Sequence, residues 1–99
     1  MMADKISKFD EIKNGLEDVY SYIIVEMANR KFEFQNLIDL LSQHKCRVIK
    51  SDIYHDAAIN KFYLVVKFDT FVTDDIMMEV FKRIPDDCSA YLYNGVCRE

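Results

Sequence analysis

Glycine and proline are scarce in this sequence, with two glycines and one proline among 99 residues. Collagen-like chains, flexible linkers and turn-dense small all-β proteins all depend on these residues, so these three classes are excluded. Intrinsic disorder is excluded too, because 51% of the residues are hydrophobic and the net charge is only −4. The length and composition therefore predict one domain with a hydrophobic core.

Long hydrophobic runs are also missing. A membrane-spanning helix needs about 20 apolar residues, whereas typical runs here are three residues long, at 23–25 and 64–66. The first residues lack the apolar stretch of a signal peptide. The cysteines are three in number, Cys46, Cys88 and Cys97, and an odd count disfavours the paired disulfides of small secreted domains. We therefore expect a cytoplasmic protein with reduced thiols and no membrane insertion.

Patterns typical of catalytic or metal sites are absent from the sequence. Zinc ligands usually come in Cys-x-x-Cys or His-x-x-x-His pairs, but His44 and Cys46 are too close for that spacing and the other candidates are dispersed. No local motif pairs a nucleophile with a base. The acidic pairs at 74–75 and 86–87 suit a helix N-terminus and a turn better than acid–base chemistry. These observations predict a non-enzymatic protein without metal or cofactor.

Hydrophobic spacing predicts three helices and four strands. Apolar residues three and four apart indicate helices, and alternation or runs of Val, Ile and Tyr indicate strands. Thr73 is a suitable N-cap for the third helix, and Pro85 ends it. The predicted elements are helix 4–16, strand 19–28, helix 32–45, strands 47–56 and 61–69, helix 74–84 and strand 88–96. Their predicted core faces include Leu37, Ile38 and Leu41, then Ile49 and Ile53, then Ile76, Met77, Val80, Phe81 and Ile84.

After the first helix, the order β-α-β-β-α-β predicts a ferredoxin-like α+β sandwich. In this fold two helices cover one face of a four-stranded antiparallel sheet. Residues 1–17 then form an extra N-terminal helix and residues 18–99 the sandwich. The opposite face of the sheet is bare unless another element covers it. We name it the tyrosine face; its predicted members are Tyr20, Tyr22, Tyr63, Val65, Lys67, Tyr91 and Tyr93.

The tyrosine face has two interpretations. Tyrosine suits a half-wet strand surface, but it is also favoured at interfaces, and an exposed apolar patch on a soluble domain usually has a partner. We therefore predict a homodimer whose interface includes Tyr20, Tyr22, Tyr63, Val65, Tyr91 and Tyr93. The alternative is that the N-terminal helix folds over this face through Ile6, Phe9, Ile12 and Leu16 and leaves a monomer.

RNA-recognition modules share the same element order, so the element order alone is compatible with nucleic-acid binding. Their third strand carries aromatic residues and glycines that stack bases. In the corresponding run here, Phe62 and Leu64 replace the glycines and Val65 takes the place of a stacking aromatic. The acidic net charge also disfavours phosphate contacts. The sequence therefore argues against nucleic acid as a partner.

Two segments carry a resemblance to a known family. One is the run Ile-Ile-Val-Glu-Met-Ala-Asn-Arg at 23–30; the other joins two leucines, at 37 and 41, to His-Lys-Cys-Arg-Val at 44–48. Together they resemble the ACT domain, a ferredoxin-like regulatory module that binds amino acids or other small effectors, commonly at dimer interfaces. The resemblance spans about residues 22–93. Asn29 and Arg30 match the start of the family's Asp-Arg-x-Gly loop, whereas Phe32 and Lys45 stand where the family has glycines.

Two functional hypotheses follow. The first is a non-enzymatic regulatory or sensing module that self-associates and binds a small effector or a partner protein. The resemblance places its ligand loop at Asn29, Arg30, Lys31 and Phe32. The alternative is a stand-alone interaction factor or inhibitor, for example a viral anti-defence protein, acting through its acidic surface and tyrosine face.

Overall fold

The computed structural model describes residues 7–17, 19–28, 34–70 and 72–95. Its strands form one antiparallel sheet in the order β2-β3-β1-β4. The fold is therefore α+β with a four-stranded antiparallel sheet, as predicted, and its element order agrees with the sequence analysis. The elements are α1 (Lys8–Asn14), β1 (Ser21–Met27), α2 (Phe34–Gln43), β2 (Val48–Asp56), β3 (Lys61–Phe68), α3 (Asp74–Arg83) and β4 (Ser89–Tyr93).

One sheet face packs against α2 and α3 to form the main hydrophobic core. The two central strands, β1 and β3, are buried along most of their length because elements cover both of their faces. This explains why β1 has a continuous apolar run rather than a clean alternation. The fully buried side chains of this core include Ile23, Val25, Leu37, Leu41, Leu64, Val66, Phe68, Val72 and Val80.

The two core helices present slightly different faces from those predicted. In α2, Leu37 and Leu41 are buried as expected, but Leu40 is buried as well and Ile38 only partly. In α3, Ile76, Met77 and Val80 are buried. Phe81 was predicted on that face and is instead 49% exposed, because at 100° per residue it falls at the margin of the stripe.

A β-bulge in β2 changes which residues face the core. Val48 pairs with Phe68 and Lys50 with Lys67, so Ile49 is an extra residue in the ladder. Val48 and Ile53 pack against the core, whereas Ile49 is 45% exposed. The prediction that Ile49 shares the core face with Ile53 is wrong, since one inserted residue inverts the alternation on one side of it.

Side-chain caps define two of the helix starts. The Ser7 hydroxyl accepts a hydrogen bond from the Asp10 N–H at 3.1 Å, so α1 begins at Lys8. The part of the predicted helix 4–16 up to residue 6 lies outside the described residues. Thr73 caps α3 as predicted, accepting from the Ile76 N–H at 3.4 Å. No helix in the described ranges is long and apolar enough to span a bilayer.

Candidate functional site

Helix α1 lies across the tyrosine face. The Phe9 ring stacks on Tyr63, with ring centroids 5.6 Å apart, and contacts Tyr91 at 5.0 Å. Tyr63 is only 2% exposed as a result. The face is therefore covered by an element of the same chain, as in the intramolecular alternative. Whether the chain also forms a homodimer stays a prediction.

The covered face forms a second, smaller hydrophobic cluster. Its strand residues are Tyr22, Tyr63, Val65, Tyr91 and Tyr93 of the predicted tyrosine face, joined by Ile24 from the centre of β1. Aromatic stacking and apolar burial hold the helix against them. The buried members are Ile12, Tyr22, Ile24, Tyr63 and Val65, with Phe9, Leu16, Tyr20, Tyr91 and Tyr93 partly buried around them.

Polar contacts tie both ends of α1 to the sheet. At its start, the Lys8 backbone N–H donates to the Asp56 carboxylate at 3.3 Å, a favourable place for a negative charge. After its end, the Glu17 backbone N–H donates to the Tyr22 hydroxyl at 3.0 Å. The Glu17 carboxylate also accepts from Lys67 Nζ at 2.8 Å. The helix is thus attached at two ends and along one apolar side.

A half-buried carboxylate organises the other end of the tyrosine face. Glu26 accepts hydrogen bonds from Lys61 Nζ at 2.8 Å and from the Tyr91 hydroxyl at 3.3 Å. The hydrogen bond to Glu26 raises the pKa of Lys61. Burial, together with the nearby Glu26 charge, raises the pKa of Tyr63. Glu26 is thus satisfied by Lys61 and the Tyr91 hydroxyl, which suits a structural role in holding the face together.

A cleft of about 260 Å³ opens between α1 and the strands β2 and β3. We name it the α1 cleft. Its more buried lining comes from Tyr22, Ile12, Val65 and Leu16, and it is apolar except for the Tyr22 hydroxyl, which accepts from the Glu17 N–H. Its charged lining includes Lys50 and Lys67. A small concave site with an apolar part and a few polar groups is the usual form of a small-molecule site.

Two lysines lie directly opposite each other in this cleft. Lys50 of β2 is paired in register with Lys67 of β3, an arrangement that normally destabilises a sheet. Each has a carboxylate partner: Asp52 lies 3.5 Å from Lys50 Nζ, and Glu17 lies 2.8 Å from Lys67 Nζ. Lys67 also lies over the Tyr20 ring, 4.1 Å from its centroid. Both ammonium groups of this wall are therefore balanced by carboxylates that also line the cleft.

Neither cysteine of the described ranges forms a disulfide or a metal site. Burial raises the pKa of the Cys46 thiol, and the neighbouring Thr70 hydroxyl offsets part of that effect. Burial, with the nearby Asp87, raises the pKa of Cys88. Both thiols are therefore held in the protonated, weakly nucleophilic form. Within the described residues no three His, Cys, Asp or Glu side chains come together as metal ligands.

The sequence analysis predicted a ligand loop but did not predict the α1 cleft. Asn29, Arg30, Lys31 and Phe32 all lie outside the described residues. The α1 cleft was not predicted, although Lys67, one of its lining residues, was placed on the tyrosine face. Recognising the pair with Lys50 requires the register of β2, which the bulge shifts.

Comparison with protein-family models, curated proteins and solved structures gives no significant match. The site is therefore interpreted from its own geometry.

Proposed function

We propose that this chain is a non-enzymatic regulatory module that binds a small effector in the α1 cleft and controls access to its tyrosine face. The observation that carries the proposal is the position of α1, which covers the apolar face and at the same time forms one wall of the cleft. A ligand in that cleft contacts both the helix and the sheet. Ligand binding and the position of α1 are therefore coupled, because a ligand that prefers one position shifts the equilibrium towards it.

The proposed fold is the ferredoxin-like β-α-β-β-α-β sandwich of an ACT-like domain. The strand order, with β1 and β3 in the centre, supports it. Lys45 supplies a second supporting observation. This residue stands where ACT domains have a glycine, and its φ of 62° is in the left-handed region that glycine adopts most readily. The backbone there has the geometry a glycine would favour, although the side chain differs.

The proposed partner of the exposed face is a second copy of the chain. Helix α1 has seven residues, and isolated helices shorter than about 12 residues are marginal in water. Its helical form therefore depends on docking to the sheet. When α1 moves away, Tyr22, Tyr63 and Val65 lose their cover, and burying such a patch in a dimer offsets the entropy of association. The unpaired thiols of Cys46 and Cys88 support a cytoplasmic location for this process.

Light scattering on the full-length chain tests this proposal. Phe9→Ala removes the ring that stacks on Tyr63 and Tyr91, and we expect it to shift the chain from monomer towards dimer. Asn14→Ala, on the exposed part of the same helix, is the matched control and should behave like the wild type. A Phe9→Ala variant that stays folded and monomeric at the highest concentration measured would contradict the proposal.

A second candidate is the stand-alone protein-interaction factor. It is favoured by an exposed apolar pair on α3, where Met78 is 58% and Phe81 49% exposed beside the acidic start of the helix at Asp74 and Asp75. A thermal-shift screen of amino acids and nucleotides separates the two candidates. An effector-binding module gains stability with its ligand as RT ln(1 + [L]/Kd), whereas an interaction factor does not respond.

A further inference from the structure

We infer that the α1 cleft binds a small organic anion, a carboxylate or phosphate on an apolar body, whose charged group displaces Glu17 from Lys67. This inference names the effector class for the proposed function and rests on it. It is carried by three features of the cleft: the opposed lysines, the unequal exposure of its charges and the apolar surface beside them.

The inner charge of the cleft is positive. Among the described residues, six charged side chains line it; the least exposed is Lys67, at 21%, and the most exposed is Lys50, at 65%. Its carboxylate partner Glu17 is on the non-helical segment after α1 and is far more exposed. Lys50, directly opposite, adds a second ammonium. An anion entering from solvent therefore meets two positive groups once Glu17 has moved aside.

The remaining carboxylates do not favour a cationic ligand. Glu11 is paired with Lys8 at 3.2 Å along the helix, and Asp52 is paired with Lys50 at 3.5 Å. Both carboxylates are more exposed than Lys67. A cation at either carboxylate would lie further out, away from the apolar lining. Two lysines at opposed positions are costly for the sheet itself, and a bound anion would relieve that repulsion.

The apolar lining of the cleft indicates that the rest of the ligand, beyond its anionic group, is apolar. Ile12, Leu16 and Val65 offer no polar side-chain group to a ligand. An inorganic ion would leave this surface uncovered, whereas an apolar ring or branched chain would bury it. The volume of about 260 Å³ suits a small metabolite rather than a peptide.

Displacement of Glu17 links this ligand to helix α1. The Glu17 carboxylate on Lys67 and the Glu17 N–H on Tyr22 tie the end of α1 to the sheet. An anion that takes over Lys67 breaks the first of these contacts. Ligand binding therefore loosens the attachment of α1, and the same competition makes Glu17 an internal inhibitor of anion binding.

The test is titration of the full-length protein with benzoate and phenyl phosphate, followed by ¹H–¹⁵N NMR. Benzyl alcohol and benzylammonium have the same ring with a neutral or a positive group, and inorganic phosphate has the charge without the ring. We expect saturable binding of benzoate and phenyl phosphate and much weaker binding of the other three. Equal binding of benzyl alcohol, or no saturable binding of any anion, would overturn the inference; equal binding of inorganic phosphate would overturn the role of the apolar body.

Substitutions locate the binding to the cleft. Lys67→Met keeps the length of the side chain and should weaken benzoate binding about tenfold, the usual value of a charge-assisted hydrogen bond. If Lys67→Met does not fold, Lys50→Met tests the lysine on the neighbouring strand of the same cleft wall. Glu17→Gln removes the competing carboxylate and should strengthen binding about threefold, as expected for a partly exposed ion pair.

Matched controls come from a remote ion pair on α3. Lys82 Nζ lies 3.4 Å from the Glu79 carboxylate, so Lys82→Met and Glu79→Gln make the same chemical changes outside the cleft and should leave binding unchanged. Benzoate affinity that is insensitive to both cleft lysines would place the site elsewhere. If benzoate binds as expected but Phe9→Ala stays monomeric, only the proposed function fails. If Phe9→Ala dimerises and no anion binds, only this inference fails.

Discussion

Single residues of this chain adopt conformations that their side chains do not favour, and Lys45 is the clearest case. It follows α2 with a φ of 62°. The left-handed turn lets the Cys46 N–H donate to the Leu41 carbonyl at 2.9 Å and the Lys45 N–H to the Ser42 carbonyl at 3.0 Å. These bonds satisfy carbonyls at the helix end. Asn60, at the end of the β2–β3 turn, has a φ of 52°, which asparagine tolerates better than lysine.

Replacing Lys45 with glycine should therefore stabilise the protein. Lys45→Gly removes the steric cost of a Cβ at positive φ, and we expect the free energy of unfolding to rise by about 1 kcal/mol. Urea unfolding measures this change. Gln43→Gly, inside the last turn of α2, is the control and should lower the free energy of unfolding by about 1 kcal/mol. A less stable Lys45→Gly variant would contradict the role of the left-handed turn.

Between elements, one amide side chain joins three segments of the fold. Asn94, just after β4, accepts hydrogen bonds from the Ser21 hydroxyl at 2.9 Å and the Val72 N–H at 3.1 Å, and donates to the Val72 carbonyl at 3.0 Å. It thereby fixes the segment that leads into α3 against the start of β1. Sequence patterns predicted the elements themselves, because their periods and the Thr73 cap are local. They did not predict this connection, which joins Asn94 to Ser21, 73 positions away, and to Val72, 22 positions away.

Loss of this amide should destabilise the whole domain. Asn94→Ala leaves the buried Ser21 hydroxyl and the Val72 backbone without these partners, and we expect the free energy of unfolding to fall by about 1–3 kcal/mol. Thermal and urea unfolding both report the change. Asn36→Ala, at an exposed position of α2, is the control and should have little effect or stabilise slightly. Equal stability of the two variants would show that the connection contributes nothing.

For the whole molecule, element order and the sheet were predictable and the candidate site was not. The order of helices and strands followed from periodicity and composition, and the tyrosine face followed from alternation in β3 and β4. The α1 cleft depends on two features that are not local. One is the docking of α1, through Phe9, on residues far along the chain; the other is the bulge at Ile49, which sets Lys50 opposite Lys67. Neither can be derived from the spacing of residues within one element.

The position of α1 within its own chain is the central claim, and nuclear Overhauser effects test it most directly. An equimolar mixture of ¹³C-labelled and unlabelled full-length chains separates contacts within a chain from contacts between chains. The account predicts effects between the Phe9 ring and the rings of Tyr63 and Tyr91 within one chain at low concentration. Absence of these contacts, or their appearance only between a labelled and an unlabelled chain, would contradict it.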